Sequence, residues 1–521
     1  MPTNAKHDRC RRAPTASLTV ALLTLSGVWA SLLAPAAQAQ EAILPDIVVE
    51  LLDLPRLPAP AADPSGRYLL LVHQHSYLPL ELLSAPTLTV AGRRLDPATF
   101  APHAPIPYFG LTLIDHETGD QTKIALPDDV TIGYPLWSPD GSRFAFTVTT
   151  STGVELWLGN PATAEAQRLT AARLNAARGA PCAWMPNNRE LLCRVQPAYR
   201  APLSTMTVAE AVSPITLAGM PSRLDHELVP HFLYSQLEFV NIATGERQRF
   251  RRPMILESIT PSPDGKLFLA TLGLPHYSYL GSLESWSERI EIWDREGRLL
   301  RTLTSNSETT PDAPKAVRWQ PTHPQTLVWV EHQGGEEQVL AQSAPFTAPP
   351  TVVYSSPHRF AGIEWLDESN RALVSEYDTD HRIRRTWLVD SGNPEAPPRR
   401  LGSGSVDAAF PALGTPLTRR NRTGESVVRI RHNAIWLVGQ TNTGGYIERL
   451  NLDSMRREQI WESDGEGYER VVDLLTFDGN LLLTQRETAD EPPNYRLYDL
   501  TTGAMRAITD QAHPAPELAR V

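Results

Sequence analysis

A chain of 521 residues with 59 acidic against 48 basic side chains carries a net charge of −11. That balance disfavours nucleic acid and anionic membrane surfaces as partners, because both recruit clustered positive charge. Lysine occurs only at positions 6, 123, 266 and 315, and the arginine used elsewhere reads as genome base composition rather than phosphate recognition.

The chain opens with Arg9, Arg11 and Arg12, then a mainly apolar stretch from Leu18 to Leu33, then Ala37-Gln38-Ala39. This order predicts a secretory signal peptide over 1–39, cut after Ala39, and a periplasmic or secreted product. An uncleaved anchor is the alternative, and the small-residue cleavage site favours cleavage. Cys10 precedes the apolar stretch, so it is not a lipid-bearing cysteine. Loss of Lys6, Arg9, Arg11, Arg12 and Asp8 moves the net charge to about −14. Nothing later is long and apolar enough to cross a bilayer. Residues 40–59 read as a linker, with proline concentrated from Leu54 to Pro64.

From 60 to 510 one pattern recurs: an apolar strand, a tight polar turn, and a second apolar strand. Its clearest copies are WSPDGSRFAF (Trp137 to Phe146) and TPSPDGKLFLA (Thr260 to Ala270). Looser copies are DPSGRYLLL (Asp63 to Leu71), WMPNNRELLC (Trp184 to Cys193), WQPTHPQTLVWV (Trp319 to Val330), WLDESNRALVS (Trp365 to Ser375) and LTFDGNLLLT (Leu475 to Thr484). A further hairpin at Asn433 to Gln440 lacks the turn motif. Proline presets the turn, Asp bonds its own backbone, and Gly takes the positive φ that other residues resist.

Most copies are followed by another strand and a second turn, as in LTLIDHETGD (Leu111 to Asp120) and YRLYDLTTG (Tyr495 to Gly503). Trp137 to Trp184, and Trp319 to Trp365, fall in the range of about 40 to 50 residues that propeller repeats occupy. The pattern predicts an all-β fold, a seven- or eight-bladed β-propeller of four-stranded blades, with an insertion at roughly Pro197 to His231. Helical spacing is found at Ala164 to Arg178 and Met206 to Val212, and a proline-rich connection at Ser343 to Pro350.

Candidate chemistry is sparse. Cys182 and Cys193 flank one hairpin, and a two-residue turn at Asn187-Asn188 places them opposite each other; a disulfide and two buried thiols both stay open. No G-x-S-x-G nucleophile elbow occurs, Gly402-Ser403-Gly404-Ser405 being the nearest approach, and no catalytic residue is assigned. His73 with His75, the run Glu376, Asp378, Asp380 and His381, and the set Asp464, Glu466 and Glu469 could hold a metal on paper. Strand alternation and turn geometry explain them better, so no metal and no cofactor are expected. The repeating Trp137, Trp184, Trp319 and Trp365 read as packing between blades rather than a stacking platform.

Three segments carry a narrower likeness: SYLPLELLSAPTLTVAGRRLDP (Ser76 to Pro97), DHELVPHFLYSQLEFVNIATG (Asp225 to Gly245) and ETADEPPNYRLYDLTTGAMRAITD (Glu487 to Asp510). Through them the chain, from about Pro45 onward, resembles the N-terminal propeller of the prolyl oligopeptidase family of serine peptidases, within its glutamyl endopeptidase branch. The resemblance implies that an α/β-hydrolase domain carrying serine, aspartate and histidine follows the propeller, which screens large proteins from the active site. None of those catalytic residues has a counterpart here, and 511–521, ending in HPAPELARV, reads as a truncated linker toward that domain.

The expectation is a substrate-gating propeller that hydrolyses nothing alone, with a hydrolase domain as partner and a peptide as candidate substrate. Without that domain, its docking face would leave apolar residues exposed. The alternatives are an independent periplasmic propeller binding a peptide or protein, and half of a split peptidase active only with a separate hydrolase chain. Arg93 and Arg94, in the first insertion, are the weak candidates for substrate binding; a solvated loop is the plainer reading.

Overall fold

The computed structural model describes residues 56–511 apart from 104–106, 129, 201, 204–224, 275–286, 305–312 and 412. Within them the strands follow one another as antiparallel four-stranded meanders, the blades of a β-propeller. The first blade is β1 (Ala59–Ala62), β2 (Tyr68–Gln74), β5 (Tyr108–Asp115) and β6 (Gln121–Lys123). Between β2 and β5 it carries a one-turn helix α1 (Leu80–Leu83) and the small hairpin β3 (Leu88–Val90) and β4 (Arg93–Leu95). The second is β7 (Thr131–Trp137), β8 (Phe144–Thr150), β9 (Gly153–Asn160) and β10 (Glu165–Arg168).

The third blade runs β11 (Cys182–Trp184), β12 (Glu190–Val195) and β13 (Tyr234–Asn241), with helix α2 (Asp225–Phe232) between the last two. Its outer edge is the first part of a long strand, β14 (Arg247–Pro261), whose second part opens the fourth blade with β15 (Leu267–Leu274), β16 (Ser287–Asp294) and β17 (Leu299–Thr304). The fifth holds β18 (Lys315–Trp319), β19 (Thr326–Gln333), β20 (Glu336–Ser343) and β21 (Thr351–Ser356). The sixth holds β22 (Arg359–Trp365), β23 (Arg371–Asp378), β24 (Ile383–Asp390) and β25 (Arg399–Ser405).

In the seventh blade the inner strand is broken into β26 (Thr415–Pro416) and β29 (Ile430–Arg431). Both pair with β30 (Ala434–Gln440), and β27 (Thr418–Arg420) and β28 (Ser426–Val428) form a hairpin of their own between them. That blade ends with β31 (Gly445–Asn451) and β32 (Arg457–Glu462), and the last blade is β33 (Tyr468–Leu474), β34 (Leu481–Glu487), β35 (Asn494–Asp499) and β36 (Met505–Ala507).

The turn chemistry works as the sequence suggests. Ser138 donates to Asp140, whose carboxylate accepts the Ser142 N–H at 3.0 Å while Gly141 adopts φ +71. Blades then lock through the tryptophans. The indole N–H of Trp137 donates to Ala61 (2.9 Å), that of Trp184 to Leu136 (3.3 Å) and that of Trp319 to Thr260 (3.1 Å), each a carbonyl on the inner strand of the preceding blade. Each ring therefore fills the seam between neighbours and satisfies its polar atom there, at a gain of about 2–3 kcal/mol per buried ring.

The ring closes differently. β1 pairs with β2 alone and β36 with β35 alone, so side chains join the first and last blades: Leu69, Leu71 and Ile114 pack on Leu475, Leu483, Tyr495 and Leu497. Gln121 also donates to the Ile508 carbonyl (3.0 Å) and Arg506 to that of His116 (2.8 Å).

Two readings need correction, and a third gains its physical reason. Ala164 to Arg178 is not helical: Glu165–Arg168 pairs with β9, and Leu174 bridges Val154 and Val195, because unpaired strand edges outbid a weak helical propensity. The turn between β11 and β12 is wider than two residues, since Asn188 N–H closes on the Met185 carbonyl with Asn188 at φ +58; the register still places Cys182 opposite Cys193, and the two form a disulfide. The hairpin at Asn433 turns on His432 and Asn433, both at positive φ, which supplies the tight geometry without proline or glycine. The signal segment 1–39, most of the 40–59 linker, Met206 to Val212 and 512–521 lie outside the described residues. No helix among the described residues is long and apolar enough to cross a membrane.

Candidate functional site

Strand alternation sorts every connection onto one of two faces. The Asp-Gly turns, and the turns after the third strand of each blade, lie on one face. The chain enters β1 and leaves β36 on the other, where the Arg56 carbonyl accepts from the Gln511 side chain at 3.4 Å. Both large insertions rise from this second face, and they pack together. Leu88, Val90, Leu95 and Phe100 from the first blade meet Leu228, Val229 and Phe232 of α2 from the third, with Phe100 and Phe232 ring centres 4.7 Å apart.

The turn face is closed by the hairpin β27–β28. Asn421 at its tip donates to the Pro321 carbonyl in the fifth blade (3.1 Å), and Arg419 pairs with Asp367 of the sixth while stacking on Phe477 of the last. Gly424 lies so near the second blade that an added Cβ would sit 3.0 Å from Pro139. A hairpin touching the second, fifth, sixth and last blades crosses the ring axis. At its base buried Arg429 donates to the carbonyls of Thr476 (2.6 Å) and Leu474.

The hairpin closes the turn face alone, and buried charged side chains gather toward the opposite end of the ring, near the insertions. Inner strands bulge there, at Gly133/Leu136 in β7 and Leu256/Ser258 in β14, which frees Tyr134 (φ +50) and Glu257 from the ladder. Glu257 ion-pairs with Arg178, whose side chain is 5% exposed. Arg194 donates to the Arg178 carbonyl (3.5 Å) and to that of Ala180. Burial and the neighbouring charges of Arg93 and Arg194 pull the Arg178 guanidinium down to about 9. Burial lowers Arg194 to about 10, with Tyr134 opposing and Arg93 adding to the fall. Burial raises the Tyr134 phenol against the pull of Arg194 and Arg93. Beside them lies an apolar cavity of ≈ 390 Å³ lined by Leu78, Leu82, Tyr108, Ile132, Tyr134 and Val154.

Arg93 and Arg94, adjacent in β4, part company. Arg94 is tied to Thr87 at 2.9 Å, whereas the charge of Arg93 is felt by Tyr134, Arg178 and Arg194. Sequence reading missed those three, because they are single residues of ordinary type brought together from separate blades.

The paper metal sets are otherwise engaged. His73 bonds Thr112 (2.8 Å), and both His73 and His75 lie against Phe109. Glu376 accepts from Tyr354 (2.7 Å) and Ser356, and these bonds hold it low against its burial. Asp378 is held well below the usual carboxylate range by Arg385 and His381, which outweigh its desolvation. Asp464 pairs with Arg486 at 2.7 Å, and Glu469 accepts from Thr484 (2.5 Å). Among the described residues no group of three such side chains could hold a metal. Ser403 and Ser405 sit in the outer strand β25, beside a second cavity of ≈ 620 Å³ that also meets Arg318, Glu364 and Arg384, not on a strand-to-helix elbow.

The chain is 27% identical over 540 residues to a probable chloroplastic glutamyl endopeptidase of Oryza sativa subsp. japonica, covering 91% of this chain and 57% of that protein. The likeness in sequence is to glutamyl endopeptidases. The corresponding protein of Arabidopsis thaliana is 26% identical, with 91% and 56% covered. The chain thus spans little more than half the length of the curated relatives it matches. No family model matches. Among solved structures, one of two prolyl endopeptidases aligns with TM-score 0.44 and 11% identity, over 87% of this chain and 56% of that one. The β-propeller domain of the Trilobed protease from Pyrococcus furiosus aligns with TM-score 0.37 and 10% identity, over 88% and 98%.

Proposed function

We propose that this chain is the substrate-gating propeller of an exported serine peptidase of the prolyl oligopeptidase family, in its glutamyl endopeptidase-like branch. The observation that carries this reading is the meeting of both ends of the ring, at Arg56 and Gln511, on the face opposite the β27–β28 hairpin. A hydrolase unit joined there stands over the mouth, and the β27–β28 hairpin shuts the far side. Tyr77, Leu80, Leu83, Phe109 and Tyr199, all exposed on the mouth side, give that unit an apolar surface to cover. The Cys182–Cys193 bridge supports export, since such bonds persist in oxidising compartments.

In this reading the ring screens substrates by size and contributes no nucleophile. Purified residues 40–521 are expected to take up no fluorophosphonate label and to give no burst from a chromogenic glutamyl ester. Covalent labelling of this polypeptide would overturn the reading.

A further inference from the structure

The ion pair of Arg178 and Glu257 leaves groups unmatched on both partners. Arg178 Nε and Nη1 and Glu257 Oε1 are buried and make no hydrogen bond among the described residues. An arginine side chain 5% exposed with two idle N–H groups is costly unless something meets them, because a buried unpaired donor forfeits its hydration. Of its other neighbours, Glu288 offers an opposite charge but no hydrogen bond to the idle atoms, Arg194 spends its donors on the Arg178 and Ala180 carbonyls, and Arg93 adds a second positive charge on the solvent side.

The complement of two donors beside one acceptor, under positive potential, is a peptide that brings a carboxylate and a main-chain N–H. The adjacent cavity at Tyr134 is apolar and of a size for one or two side chains.

We propose that Arg178, flanked by Arg194 and Arg93, binds the carboxylate of a peptide at the channel mouth, with Glu257 accepting a main-chain N–H and the Tyr134 cavity receiving a neighbouring apolar side chain. The inference rests on the open face being the substrate face. It makes the ring a reader of substrate charge as well as a screen for size. The carboxylate comes from an acidic side chain or from the peptide's own C-terminus, and the two sources are separable.

Three N-acetylated hexapeptides of one apolar sequence are titrated calorimetrically into residues 40–521. One carries an internal Glu and an amidated end, one Gln and a free carboxylate, and one Gln and an amidated end. At least one of the two carboxylate peptides is expected to bind about tenfold tighter than the neutral one, and which does so names the source. Arg93→Gln, at an exposed position that folding does not need, is expected to weaken that peptide about fivefold. Arg94→Gln is expected to leave it unchanged.

Raising salt is expected to erode the preference. Equal binding of all three peptides, or equal effects of the two substitutions, would overturn the inference. Because binding is read on the ring itself, such a failure leaves the fluorophosphonate result, and with it the gating proposal, standing.

Discussion

Gly66→Ala is expected to destabilise the ring by about 3 kcal/mol, far more than a surface turn ordinarily yields. Gly66 sits at φ +81 in the first turn, where an added Cβ would lie 2.2 Å from the Leu475 carbonyl oxygen and 2.9 Å from Thr476 Cα, both backbone atoms of the last blade. Neither can move aside as a side chain could, so the first and last blades must part. That seam has no strand ladder to resist, only the packing of Leu69, Leu71 and Ile114 on Leu475, Leu483 and Tyr495 and the side-chain bonds of Gln121 and Arg506.

The control is Gly503, at φ +73 with nothing within 4 Å, where alanine brings backbone strain alone and is expected to cost about 1 kcal/mol. Urea unfolding of the two variants gives the comparison, and hydrogen exchange locates it: amides of β1 and β36 are expected to exchange faster in Gly66→Ala. Equal losses at the two positions would mean the seam yields freely.

Arg429→Met is expected to cost about 3–5 kcal/mol at pH 7.5, the range for breaking a buried charge arrangement from one side. Arg429 serves two carbonyls of the last blade and lies beside Asp473, whose carboxyl burial pushes up to about 6 against the attraction of Arg429 and the Leu474 N–H. A carboxyl with its folded value above its unfolded one favours the fold below the unfolded value, near 4, and loses that contribution as pH rises through about 6.

Removing Arg429 raises Asp473 further and extends the loss upward through neutrality. The substitution should therefore cost clearly less at pH 4, where Asp473 is protonated in both proteins. Asp473→Asn in the Arg429→Met background should recover part of the deficit at pH 7.5. Chemical denaturation at the two pH values measures this, and a penalty independent of pH would contradict it.

What the sequence makes legible is local. The Ser-Pro-Asp-Gly turns and the register of Cys182 against Cys193 follow from residues within a dozen positions of each other, and the tryptophans show because they recur at the blade period. The β27–β28 hairpin was invisible for the opposite reason. TRRNRTGESVV reads as a polar loop, and what makes it a closure is its contact with Pro139, Pro321 and Phe477, each at least 49 positions away. Ala164 to Arg178 shows the same limit, since its alanine spacing is helical and its fate is set by β9 and β12. At the mouth, Arg93 was legible as a basic residue in an insertion, but its grouping with Arg178, Arg194 and Tyr134 depends on the ring.

A gate at one end needs the ring shut at its turn face by the β27–β28 hairpin. Pro139→Cys with Gly424→Cys tests it most directly, because a Cβ on Gly424 stands 3.5 Å from that of Pro139, within disulfide reach. Mild oxidation is expected to join the pair nearly completely, seen as a faster band on non-reducing gels and as loss of both free thiols. If both thiols stay reactive while the protein remains folded, the hairpin does not cross the ring and the one-ended channel is wrong.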